Sequence, residues 1–128
     1  MNTYKGRKAA IQAYINAYNQ FDVPAMLLPL SEDVIFQNYS GGNMNLETKG
    51  KEDFRHQAEN ACQLFSSRNQ EITFDEMTDT QIKVKVNYEG ILAQDLPNSL
   101  KKGDQIKLQG ESIFTFEGDS IQMIQDFS

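Results

Sequence analysis

The sequence offers one cysteine, one histidine and no long uninterrupted apolar run among its 128 residues. Each scarcity excludes something. Cys62 alone cannot close an internal disulfide, and its apolar, helix-patterned neighbours make it a small buried hydrophobe rather than a nucleophile. No His/Cys/Asp/Glu cluster has metal-ligand spacing, no Gly-rich phosphate loop follows a strand, and no Ser-His-Asp set can be assembled. No metal and no cofactor are therefore expected. Lys and Arg number 12 against 18 Asp and Glu, a formal charge of -6 at pH 7. Nucleic acid and anionic membranes both reward clustered cations, so neither is an expected partner. Lys101-Lys102 is the one basic doublet and reads as solvated loop charge. No stretch has the apolar length that spans a bilayer, and the opening MNTYKGRKAAIQAY has no apolar core of a leader. A soluble cytoplasmic protein is the expectation. The apolar residues are spread along the chain, which predicts one folded domain over residues 1–128.

What is present is period. Residues 4–21 predict an amphipathic helix with Ala10, Ala13, Tyr14, Ala17, Tyr18 and Phe21 on one face. Asp22 can cap a short second helix that holds Pro24 in its first turn and ends before Pro29. Residues 33–38 alternate as a strand, with Val34, Phe36 and Asn38 sharing a face. Ser40-Gly41-Gly42-Asn43 reads as loop, and Gly50 precedes a helix over 51–65 whose stripe is Phe54, Ala58, Ala61 and Leu64 or Phe65. Strands follow at 70–77, with Ile72 and Phe74 on one face, and at 81–93. In the latter Ile82, Val84, Val86 and Tyr88 alternate with Lys83, Lys85, Asn87 and Glu89. Residues 94–102, with Pro97, Asn98 and Ser99, form a long hairpin loop. The segment 103–128 is two strands about a turn at Glu117-Gly118-Asp119-Ser120. Ile106, Leu108, Gly110, Ser112, Phe114 and Phe116 share a face of the first. Strict alternation in the second puts Ile121, Met123, Gln125 and Phe127 on one side and Gln122, Ile124 and Asp126 on the other. Helices at the start and strands at the end predict an α+β fold: a strongly curved antiparallel sheet wrapped round the N-terminal helices, a cone with a mouth suited to small ligands.

The helix AIQAYINAYNQFD, the segment SEDVIFQNYSGG, the Gly50-Lys51-Glu52 helix start and the ending FEGDSIQMIQDFS together resemble the cystatin-like cone shared by nuclear transport factor two, ketosteroid isomerase, limonene-epoxide hydrolase and the SnoaL-like polyketide cyclases. The resemblance implies fold more than activity, because this architecture hosts enzymes and binders alike. Residue by residue, it implies that Tyr14 occupies the oxyanion-donor position of the isomerases. Asn38 stands where those enzymes carry an aspartate base, and an amide cannot accept a proton at neutral pH. Ser112 falls near their second donor. Phe36-Gln37-Asn38 and Asp126-Phe127 are similar to hydrolase segments in which an asparagine and an aspartate position water. The arginine and aspartate of that family would fall within Val84, Val86 or Tyr88, and neither is present.

Asp126 reads either as a desolvated base in the cone or as a terminal carboxylate facing water or a lysine. Asn38 takes its hydrogen bonds either from a ligand or water or from the backbone of the Ser40-Gly41 loop. Tyr14 either donates into the cavity or simply packs, and Ser112 shares the ambiguity. His56, roughly 200° round the helix from Phe54, should face solvent. The expected cone wall comprises Tyr14, Phe36, Asn38, Phe54, Ala58, Val86, Tyr88, Ser112, Phe114 and Asp126. Three functions follow. The chain is a small-molecule binder of unassigned activity holding a hydrophobic ligand. Alternatively it is a hydrolase, isomerase or cyclase with Asp126 as base, Asn38 orienting water or substrate, and Tyr14 holding an oxyanion. Or it is an interaction module that uses its outer sheet face. The resemblance implies a homodimer through that face, at which the Ile91-Leu92 region hints.

Overall fold

The structure, a computed structural model, describes residues 4–97 and 99–128; Asn98 of the predicted hairpin loop lies outside them. The elements in order are α1 (Tyr4–Asn19), α2 (Val23–Leu27), β1 (Leu30–Ser40), β2 (Asn43–Lys49), α3 (Lys51–Cys62), β3 (Phe65–Met77), β4 (Gln81–Leu92), β5 (Gln105–Glu117) and β6 (Ser120–Phe127). The six strands form one curved sheet in the order β2-β1-β6-β5-β4-β3, and the helices cover its concave face. This is the α+β arrangement that the sequence predicts.

Four local features differ from the expectation or go beyond it. β1 and β6 pair in parallel, whereas every other pair is antiparallel. They come from opposite ends of the chain, so the intervening elements supply the long crossover that parallel neighbours need. The turn at Gly41-Gly42 falls within the expected loop, but β2 (NMNLETK) after it is a strand the sequence does not announce; as an edge strand with most residues exposed, it lacks a clear apolar alternation. α3 stops at Cys62, and β3 begins at Phe65, five residues before the predicted start. In β6 both Ile121 and Ile124 are fully buried, because a register shift opposite Thr115 and Phe116 breaks strict alternation. That shift leaves Ile124 and Asp126 on the inner face.

α1 is held by more than its apolar stripe. Its buried residues are Arg7, Ile11, Tyr14, Ile15 and Ala17, while Ala13, placed on the stripe by sequence, is exposed. Arg7 donates from Nε to the Gly118 carbonyl (2.9 Å) and from Nη1 to the Asp79 carbonyl (2.7 Å), with its guanidinium over Phe116. One side chain thus ties the helix start to two hairpin turns and closes the narrow end. The other end of α1 terminates before Phe21, which adopts φ 60°. There the Asp22 N–H bonds the Ala17 carbonyl at 2.9 Å, the six-to-one bond of a left-handed helix stop. Asp22 then caps α2, accepting from the Ala25 N–H at 3.1 Å, as expected of its sequence position. Asn19 mimics a strand neighbour, accepting from the Gln70 N–H (2.7 Å) and donating to the Gln70 carbonyl (3.0 Å).

Gly110 is the tightest point of the sheet. A Cβ there would fall inside van der Waals distance of the Phe127 carbonyl oxygen, a backbone atom that cannot swing aside. Gly110→Ala should therefore destabilise the fold by about 1–3 kcal/mol, the usual cost of overpacking. Urea unfolding monitored by circular dichroism checks this; an unchanged midpoint would contradict it.

Candidate functional site

A cavity of about 400 Å³ lies between α1, α3 and the concave face of the sheet. Its wall is mainly aromatic and aliphatic, with Tyr14 and Tyr18 from α1, Phe36 from β1, Phe54 and Ala58 from α3, and Val86 and Tyr88 from β4. Tyr14 and Tyr18 sit one helical turn apart and so share a face. The Tyr14 ring meets Phe54 at 6.2 Å between centroids, and Phe36 meets Phe54 edge-on at 5.7 Å. Aromatic contacts of this kind fix ring positions and make the wall a stiff surface.

Three polar side chains form a row across that wall. The parallel β1–β6 register sets Asn38 beside Asp126, and the β5–β6 register sets Asp126 beside Ser112. The Ser112 hydroxyl donates to the Asp126 carboxylate at 2.7 Å. Asp126 keeps some accessible surface, and it lines the cavity. Burial raises its pKa from the ordinary 3.8 to about 6, only partly offset by the Ser112 hydrogen bond. Asn38 finds its partner on β2: its amide donates to Asn45 Oδ1 at 2.9 Å. That contact engages the amide through a side chain of β2 rather than through the Ser40-Gly41 backbone, and Asn38 still lines the cavity.

Tyr14 is buried, and its hydroxyl has no hydrogen-bond partner among the described residues. Burial first, and the Asp126 charge second, hold its pKa well above the phenol range, so it stays a donor. Burial likewise raises Tyr18, with the Tyr88 hydroxyl hydrogen-bonded to it as a partial offset, and raises Tyr88. All three phenols are protonated at any working pH.

The structure brings Tyr14, Asn38, Ser112 and Asp126 to one cavity with Phe36, Phe54, Ala58, Val86 and Tyr88. Phe114 is the exception. At 1% exposure it lies beneath Tyr14, edge-on at 6.0 Å, and belongs to the core below the wall. Alternation alone puts Phe114 on the inner face without saying how deep α1 covers it. His56 is exposed, as its helix angle predicts, and lies 3.5 Å from Glu52. Cys62 is partly buried against the core. Sequence reasoning missed the contributions of Leu46 and Arg68 to the cavity, and named Tyr18 and Phe65 only as helix-stripe residues. The signal for Arg68 was available. Carrying the period-two pattern of Ile72 and Phe74 back through Gln70 places Arg68 on the same face. Among the described residues no group of His, Cys, Asp and Glu could hold a metal ion, and no helix is long and apolar enough to cross a membrane.

No protein-family profile and no curated protein matches the sequence. Solved structures do. The chain is similar to a protein of Xanthomonas campestris pv. campestris provisionally described as a polyketide cyclase, with TM-score 0.81 and 21% identity over 97% of this chain and 90% of that one. It is also similar to a cystatin-fold protein of Novosphingobium aromaticivorans, with TM-score 0.76 and 20% identity over 95% and 97% of the two chains. A third, from Catenulispora acidiphila, has a ketosteroid isomerase-like fold and was solved with trimethylamine. It gives TM-score 0.77 and 13% identity over 93% and 84%. The chain thus shares the fold of these proteins and of an NTF2-like protein of Burkholderia pseudomallei.

The Asp126 environment has a stability consequence. Its folded pKa lies above the unfolded one, so the native state binds more protons between pH 4 and 6 and stability falls as pH rises through that window. Above it, the ionised carboxylate costs about 3 kcal/mol at most. Asp126→Asn should therefore stabilise the protein at pH 7.5, and the gain should shrink towards pH 4. Thermal melts at the two pH values measure it; a gain that grows on acidification would reverse the assignment.

Proposed function

We propose that this chain, acting as a single SnoaL-like domain, binds a small hydrophobic molecule in the cavity between α1, α3 and the sheet. The observation that supports this most is the cavity itself: about 400 Å³ with a predominantly aromatic wall and a few convergent polar groups. A folded core of this size ordinarily fills such a volume with side chains, at a density close to that of organic crystals. Here Tyr14, Asn38, Ser112 and Asp126 point chemistry into it instead.

A specific observation favours catalysis at the same place. Asp126 has a pKa of about 6, close to the operating pH of a general base, and Tyr14 offers an unused O–H nearby. In this reading Asp126 removes a proton from a carbon beside a carbonyl, or from water. The C–H electron pair moves to the carbonyl oxygen, which Tyr14 then holds by hydrogen bonding. Asn38 positions the substrate or water from the rim. A hydrolase, isomerase or cyclase would each use that arrangement.

A homodimer through the outer sheet face is the proposed assembly. Ile35 and Met123 lie side by side there, with Ile113 diagonal to Met123 across β5–β6, and all three are only partly covered. Of the Ile91-Leu92 pair, Ile91 is 39% exposed and belongs to the same proposal, whereas Leu92 is 1% exposed. A cytoplasmic location is part of the same proposal, and the single thiol Cys62 is compatible with it.

Binding is tested with a panel of aromatic ketones and polyketide-like enols, followed by chemical-shift changes at Tyr14, Phe36 and Val86. Shifts confined to the outer sheet face would refute the cavity. If a panel member turns over, Asp126→Asn should lower kcat by about 100-fold or more with little change in KM, and wild-type kcat/KM should fall below pH 6 as Asp126 protonates. Retained turnover in that variant would dismiss the base while leaving the binder. Met123→Glu should shift the sedimentation of the protein to the monomer; an unchanged dimer would locate the interface elsewhere.

A further inference from the structure

Two arginines are buried among the described residues, and they differ in what they lack. Arg7 gives Nε and Nη1 to two backbone carbonyls at the closed end, away from the cavity. Arg68 is 5% exposed and forms part of the cavity wall. Its Nε donates to the Tyr18 carbonyl at 3.1 Å, and Nη2 reaches Cys62 Sγ at 3.6 Å, a weak acceptor. No described carboxylate lies within ion-pairing distance of it. A guanidinium has five N–H donors, and a buried charge is normally paired. Most of the Arg68 donors have no protein acceptor.

The group is also packed against two rings. It lies 3.7 Å from the centroid of Tyr18 and 4.5 Å from that of Phe21, the residue held in the left-handed conformation at the helix stop. The carbonyl it binds belongs to the last turn of α1, whose partial negative charge tolerates a cation without neutralising it. A planar fork fixed between rings, with its free edge on a cavity, matches a two-oxygen anion. The site lies on β3, three strands from Asp126 in the sheet order, so the cation and the acid occupy different parts of the cavity.

We infer that Arg68 anchors an organic oxyanion, a carboxylate or ionised enol carried by the ligand, while the apolar body of the ligand runs past Phe65, Tyr88 and Val86 towards Asp126. The inference rests on the reading of the cavity as a ligand site and names the class of molecule: amphipathic, aromatic or unsaturated, with an acidic head. It also gives the ligand a direction, since an anionic head is repelled from the Asp126 end and drawn to the Arg68 end.

Two probes that differ in charge alone test it: 2-naphthoate and 2-naphthamide, titrated calorimetrically into the intact protein at pH 7.5. Naphthoate should bind about tenfold more tightly or better, as a charge-assisted paired hydrogen bond implies. The Arg68 Nε–H resonance should shift with naphthoate and much less with naphthamide. Arg68→Gln should erase the preference while leaving naphthamide affinity within about twofold, and Arg68→Lys should keep part of it. Should Arg68→Gln fail to fold, the two-probe comparison and the Nε–H shift in the unsubstituted protein decide alone. Equal affinities, or a preference that survives Arg68→Gln, overturn the anchor and leave the cavity reading intact. Binding of neither probe overturns both.

Discussion

The parallel pairing of β1 with β6 is the constraint on which the rest depends. It joins residues near 38 to residues near 126, and nothing local in the chain could bring them together. Once it forms, Asn38, Asp126 and Ser112 become neighbours on adjacent strands of one face, at the regular spacing of a sheet. The row is therefore as rigid as the ladder that carries it. Non-local pairing of this kind is slow to form and costly in loop entropy, so the helix clamps and the antiparallel hairpins must repay it together.

Rigidity alone would give a solid core, and α1 prevents that. The helix is fastened at its start by Arg7 and at its end by Arg68, Asn19 and the stop at Phe21. Between those fastenings it lies over the sheet on Tyr14 and Tyr18, large rings that reach across and hold it off the sheet floor. α3 contributes Ala58 and Ala61, small side chains that leave the volume unfilled. A carboxylate placed in such a space loses its water and gains only one hydroxyl in return. The raised pKa of Asp126 is the direct result.

Much of this was legible in the sequence, and what was not had identifiable causes. The stripe of α1 and the alternation of β4 announce themselves, because one face of each is apolar and the other is charged. Val34, Phe36 and Asn38 fall on a shared face for the same reason. β2 is silent because NMNLETK pairs along only one edge and buries little. Strict alternation fails in β6 because a bulge inserts one residue, an event that depends on the partner strand rather than on β6 itself. Arg68 is the most instructive loss. Period two carried back from Ile72 puts it on the inner face, but its burial follows only once the end of α1 is known to lie across it. Burial depth, which separates Phe114 from the wall, is likewise a property of what covers a face and not of the face.

The Arg7 closure bears on how the fold meets acid. Its two acceptors are backbone carbonyls rather than carboxylates, so the grip on the two turns has no acidic partner to lose. The two fastened turns lie away from the residues that line the cavity, among them Asn38 and the end of β6.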